Sequence, residues 1–155
     1  MLRTIPQPGG WQLGPPVLTG LSLKHYPAFA DCPTLPALRQ RLAVDYPELE
    51  RFGIHLLAVQ NGEGEVVIGD SHEHGLTAEP FDRVEVDELI LAYLRRVLDL
   101  PTFQIAQRWH GIYAKHPDQA LLQAAPEPGV RVVAGLGGAG MTLSFGLAHD
   151  LFEQW

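Results

Sequence analysis

The stretch Val130-Arg131-Val132-Val133-Ala134 runs into Gly135-Leu136-Gly137-Gly138-Ala139-Gly140 and continues as Met141-Thr142-Leu143-Ser144-Phe145-Gly146. The β-branched run reads as a short buried strand, the glycines as a tight turn, and the remainder as a helix from about Met141 to Trp155. Gly135-x-Gly137-x-x-Gly140 satisfies the spacing of a dinucleotide fingerprint placed after a strand and before a helix. Glycines let a backbone approach a ligand closely, and a helix N-terminus offers free N–H groups and a partial positive charge. A complete dinucleotide unit also needs a second strand, with an acidic ribose-binding residue about 20 positions on. Only 15 residues follow Gly140. The loop therefore reads as one that touches a ligand without forming a whole dinucleotide-binding unit. A ligand-free turn is the plainer alternative, although four glycines in six residues exceed what a turn needs.

Working outward, Glu85 to Leu98 carries Val86, Ile90, Tyr93, Leu94 and Val97 on one helical face, with Pro101 beyond its end. Ile54–Gln60 and Glu65–Gly69 read as strands joined through Asn61-Gly62-Glu63-Gly64, a hairpin signal because Asn and Gly tolerate positive φ. Leu35, Leu38 and Leu42 recur at helical spacing after Pro33, and Gly53 follows a second short turn as a stop. Met1 to Pro16 is rich in Pro and Gly and reads as an extended connector carrying Trp11. Val17 to Tyr26 reads as a strand with Gly20 at a bulge. Asp70 to Asp82 is a polar loop, and Phe103–Lys115 and Leu121–Ala125 read as strands around a His116-Pro117-Asp118 turn. Glu127-Pro128-Gly129 is a further turn. Hairpins mixed with isolated helices imply an α+β fold, a mixed or antiparallel sheet with helices on one face, ending in the strand, glycine loop and helix. The apolar faces within Leu89–Leu98 and Phe145–Phe152 read as core.

Composition narrows the function classes. Eleven Lys and Arg against 18 Asp and Glu leave a net charge of −7, which argues against a nucleic-acid partner. No run approaches the roughly 18 apolar residues of a membrane span. No basic and then apolar leader opens the chain, and a single cysteine, Cys32, permits no internal disulfide, so a cytoplasmic location is expected. Cys32 has no basic neighbour to activate it, and no G-x-S-x-G elbow is present, so nucleophilic catalysis has little support. His72 and His74 form H-x-H beside Asp70 and Glu73. On a strand the two imidazoles would share a face and suit a metal. A loop placement removes that geometry and the sequence supplies no third ligand, so no metal ligands are assigned.

The C-terminal order Trp109-x-Gly111-x-Tyr113, Pro117-Asp118, Val130-x-Val132-Val133-Ala134-Gly135 and the glycine loop resembles the closing segment of flavin-dependent amine and amino-acid oxidases. These are the D-amino-acid oxidase superfamily. Met1-Leu2-Arg3-Thr4 with Pro6-Gln7-Pro8, His25-Tyr26-Pro27-x-Phe29, Gly69-Asp70-Ser71-His72-Glu73 and Gly135 to Gly146 are similar to a subgroup associated with phosphonate metabolism. The resemblance covers essentially the whole chain. The superfamily's N-terminal Rossmann unit has no counterpart in these residues. The chain is thus expected to be the C-terminal portion of a longer enzyme, with residues 1–125 forming a substrate-domain-like part and 126–155 the end of an FAD-binding domain.

The resemblance implies FAD as cofactor of the complete enzyme and a small amine or amino acid as substrate, with hydride passing from the amine-bearing carbon to flavin N5. It places Gly135, Gly137, Gly138, Ala139, Gly140, Met141 and Thr142 at the flavin, where backbone N–H groups would stabilise the reduced anion. It makes Arg3 and Arg108 the anchors for an anionic group, because a guanidinium fork pairs two oxygens. Tyr26, His72 and Tyr113 would line the pocket. For each arginine, solvation at the surface is the plain alternative; for Tyr26 and Thr142 it is an ordinary structural role, and for His72 a hydrogen bond in its loop. A truncated, non-catalytic domain without cofactor is the competing reading, and a metal enzyme using His72 and His74 is a third. The missing FAD-binding partner should leave apolar surface exposed, favouring a homodimer or poor solubility.

Overall fold

The structure, a computed structural model, describes residues 1–153. It divides into two units, Met1–His110 and the residues from Gly111 on. The boundary expected at 125/126 falls inside the second.

The first unit is built on a five-stranded sheet in which every pairing is antiparallel. Its strands are β1 (Leu2–Pro6), β2 (Val17–Leu18), β3 (Leu57–Gln60), β4 (Glu65–Ile68) and β5 (Ile105–Arg108), in the order β2-β3-β4-β1-β5. Four helices accompany them: α1 (Gly20–His25), α2 (Leu35–Asp45), α3 (Pro47–Arg51) and α4 (Val84–Val97). Burial alternates along the strands, with Leu2 and Thr4 of β1 and Val66 and Ile68 of β4 on the inner face. Leu2, Val66 and Ile68 meet Leu42, Leu49, Val86, Ile90 and Leu94 from the helices in one core. This is the α+β fold expected from the hairpin and helix signals.

The β3–β4 hairpin forms as its turn residues require. Asn61 Oδ1 accepts from the Glu63 and Glu65 N–H groups, and Gly64 sits at φ +80°. α4 buries Val86, Ile90 and Leu94, while Val97 is exposed at the helix end. Two readings of the N-terminal half are corrected. Leu2–Pro6 is no connector but an inner strand between β4 and β5. Its only proline is its last residue, so the ladder loses no donor before Pro6. The chain beyond is pinned by buried Gln7, which donates to Thr4 Oγ1 and Thr102 O and accepts from Thr102 N–H. Gly20 opens a helix and does not mark a bulge. Thr19, extended at the N-cap, donates through Oγ1 to Leu56 O, as does Ser22 Oγ, and these bonds dock α1 on the sheet.

The second unit holds an antiparallel ribbon of β6 (Leu122–Ala124) and β7 (Val132–Ala134), followed by a 3₁₀ turn at Gly137–Ala139 and α5 (Gly140–Glu153). The expected strand, glycine loop and helix are therefore present. The strand is not buried: Val130 and Val132 are exposed. Nor is the last helix core. Met141 is 89% and Phe145 88% exposed, and no described residue of α5 is buried. A two-stranded ribbon offers too little area to cover a 14-residue apolar helix. The helix expectation for Gln154 and Trp155 lies outside the described residues. No helix among the described residues is long and apolar enough to cross a membrane.

Candidate functional site

The glycine loop sits on tight local geometry. Gly135 has φ +80° and Gly137 φ +61°, both in the left-handed region that favours glycine. A Cβ on Gly135 would lie 3.1 Å from the His116 nitrogen. The Gly137 N–H donates to Ala114 O and the His116 N–H to Gly135 O. These bonds tie the loop to the segment carrying Tyr113, and a Cβ on Gly138 would lie 3.5 Å from the Tyr113 hydroxyl. Gly138, Ala139, Met141 and Thr142 are exposed. The first amides of a helix have no partner within it, so the loop presents an open, glycine-lined helix start beside a phenol. Tyr113 and the predicted cofactor residues are thus one local group.

The predicted substrate residues of the first unit are not all one group. Arg3 pairs with Glu65 (3.0 Å) and donates to Gln107 (2.6 Å), and Arg108 pairs with Asp87 of α4 (2.6 Å). The register sets Leu2 opposite Arg108 and Arg3 opposite Gln107. Alternation then places Arg108 on the face of buried Leu2 and Arg3 on the other face. The two guanidiniums do not line a common pocket.

Tyr26 and His72 do come together, around two residues the sequence did not single out as ligands. The β3–β4 hairpin extends by backbone bonds between His55 and Asp70 in both directions, at 3.1 and 3.0 Å. His72 follows, its N–H donating to Phe52 O. On the other side, α1 is anchored to Leu56 O by Thr19 and Ser22, so His25, one turn beyond Ser22, lies over His55. The His25 and His55 rings stack with centroids 4.0 Å apart, and His72 lies 5.0 Å from His55 and 4.7 Å from His25. Tyr26 packs edge-on against His25 and His55. His55 Nε2 is 3.1 Å from Asp70 Oδ1, and His72 Nε2 is 3.8 Å from Asp70 Oδ2. His74 lies away from this group: it is exposed, and its ring centroid is 6.5 Å from that of His72. Asp70 to Asp82 is a loop, so the shared strand face that the H-x-H spacing would need is not formed. No local signal could have found the cluster, since its histidines lie 30 and 17 positions apart on three segments.

Burial shapes the electrostatics. Loss of solvent, and then the neighbouring His72, push His55 down to about 4. Burial pushes the Asp70 carboxyl up, opposed by His72 and His25. This gives a pH prediction for the metal-free chain. Between pH 6.5 and 4 the unfolded chain protonates His55 while the folded chain resists, so stability falls as pH falls through that window. Asp70, whose carboxyl is pushed up, works in the opposite sense and offsets part of that loss. Urea unfolding with chelator at pH 7 and pH 4.5 measures it. His55→Asn should flatten the slope, and an unchanged slope would assign it to other groups.

The family model for FAD dependent oxidoreductases, DAO, matches residues 9–154. The chain belongs to the FAD-dependent oxidoreductase family. No curated protein and no solved structure matches it. The residues fit one end of the family's cofactor and not the other. The open glycine loop at the start of α5 suits a flat ring edge that gathers negative charge. Among the described residues all strand pairings are antiparallel, so they contain no βαβ unit for the dinucleotide part.

Proposed function

We propose that this FAD-dependent oxidoreductase chain oxidises a small amine or amino acid, and that it supplies the substrate-side sheet and the flavin-covering loop. The phosphonate-associated subgroup is the reading its motifs favour within the family. The observation that carries the proposal is the family match over residues 9–154, which runs to the glycine loop and α5. The exposed Met141, Leu143 and Phe145 side chains support a missing covering surface. Bound FAD would supply the two-electron acceptor for the carbon–nitrogen oxidation. The residues of this chain would do the rest. The Gly138 and Met141 amides would face the ring edge where negative charge develops. Thr142 would add a hydroxyl at the same helix start, and the Tyr113 hydroxyl would border the loop from the pocket side.

The test is expression of the reading frame together with its upstream in-frame coding segment. The product is expected to carry visible flavin absorption and to bleach with a small amine or amino acid. Gly138→Val, which crowds the Tyr113 hydroxyl, is expected to weaken FAD retention roughly tenfold or more. A correctly folded, colourless product that takes up no added FAD would overturn the proposal.

A further inference from the structure

We propose that His25, His55 and His72 form a binding site for a divalent transition-metal ion of the zinc type, with the Asp70 carboxylate as its orienting partner. The three histidines can each present one ring nitrogen such that all three nitrogens lie within 4.8 Å of one another. Neutral imidazole is a favoured ligand for zinc, copper and nickel. The hydrogen bonding of the cluster is incomplete in the way such an ion would complete. His55 is 3% exposed, yet its Nδ1 is buried without a hydrogen-bond partner, and so is Asp70 Oδ1. The 3.1 Å approach of His55 Nε2 to Asp70 Oδ1 is off the line of a good hydrogen bond.

Tautomers assigned from the neighbours point the same way. His72 Nδ1 faces Gly53 O at 3.4 Å, and a carbonyl can only accept, so Nδ1 holds the proton. The Nε2 lone pair then faces Asp70 Oδ2 at 3.8 Å, two electron-rich atoms with nothing positive between them. A proton on His55 Nε2, toward Asp70, leaves the lone pair of buried Nδ1 for an ion. With the His55 ring turned a little further toward Asp70, this becomes the carboxylate–histidine–metal arrangement, in which the carboxylate fixes the tautomer and raises ligand basicity. A tetrahedral zinc site sets its nitrogens about 3.4 Å apart, so binding draws the stacked rings inward. An open cleft lined by His25, His55, Gly53 and the Lys24–Glu50 pair gives an ion its way in. All four residues belong to the first unit.

The full chain, stripped with chelator, is titrated with Zn²⁺ against a chromophoric competitor and with Co²⁺ by visible absorption. One ion per chain is expected, with the intense Co²⁺ bands of a four-coordinate site. His25→Gln, His55→Gln and His72→Gln should each weaken binding by at least tenfold, and Asp70→Asn by about 10–100-fold. His74→Gln should leave it unchanged. So should His149→Gln, which removes the exposed His149, Asp150 and Glu153 group on α5. His25 is only partly buried, so His25→Gln carries the test should His55→Gln fail to fold. Absence of one-to-one binding of either ion by the unmutated chain, or binding lost in His149→Gln and kept in His25→Gln and His72→Gln, overturns the site.

Discussion

Leu2→Ala is expected to cost about 2–5 kcal/mol of unfolding free energy, although it lies one residue from the start of the numbered chain. Leu2 is fully buried and belongs to the same core cluster as Leu56, Ile68 and Leu94. Its strand has neighbours on both sides, so the cavity left by truncation cannot be closed by fraying. Relaxation is limited because Gln7 and Thr102 clamp the strand at its far end. Leu18→Ala, at an exposed position on edge strand β2, is the control and should change stability by less than about 0.5 kcal/mol. Urea unfolding followed by circular dichroism measures both. Equal, small effects would return Met1 to Pro16 to the connector role that its prolines first implied.

Gly53→Ala is expected to cost about 2–4 kcal/mol and to disturb the histidine cluster together with the fold. Two separate penalties combine. Gly53 has φ +55°, which an alanine adopts only with strain. The added Cβ would also lie 2.9 Å from the His72 carbonyl oxygen, a backbone atom that cannot swing aside. His72 must then retreat from Gly53 O and from Asp70. The variant should lose stability in urea and bind Zn²⁺ more weakly than the unmutated chain. A stable Gly53→Ala with unchanged unfolding midpoint would show that Gly53 and the His72 carbonyl do not approach so closely.

The elements legible from sequence were those whose causes are local. Asn61 and Gly64 specify their turn by side-chain hydrogen bonding and positive φ, and the hairpin followed. α4 declared itself through 3.6-residue periodicity, and the glycine loop through spacing alone. The α+β class followed from the same signals, as did the family, whose motifs are linear. Two local readings failed because a distant partner decided them. Val17 to Tyr26 became mostly helix once Thr19 and Ser22 could both donate to Leu56 O. The N-terminal prolines did not prevent an inner strand, because only the last residue of β1 is proline.

What the sequence determined by itself is therefore the hairpin, the main helix, the glycine loop and the family they mark. Tertiary structure alone decided that Leu2 belongs to the core, that the apolar side of α5 stays exposed, and that His72 meets His25 and His55. The physical reason is the same in each case. Turn chemistry and helical periodicity act between residues a few positions apart, whereas burial and ring-to-ring contact depend on segments that only the folded sheet brings side by side.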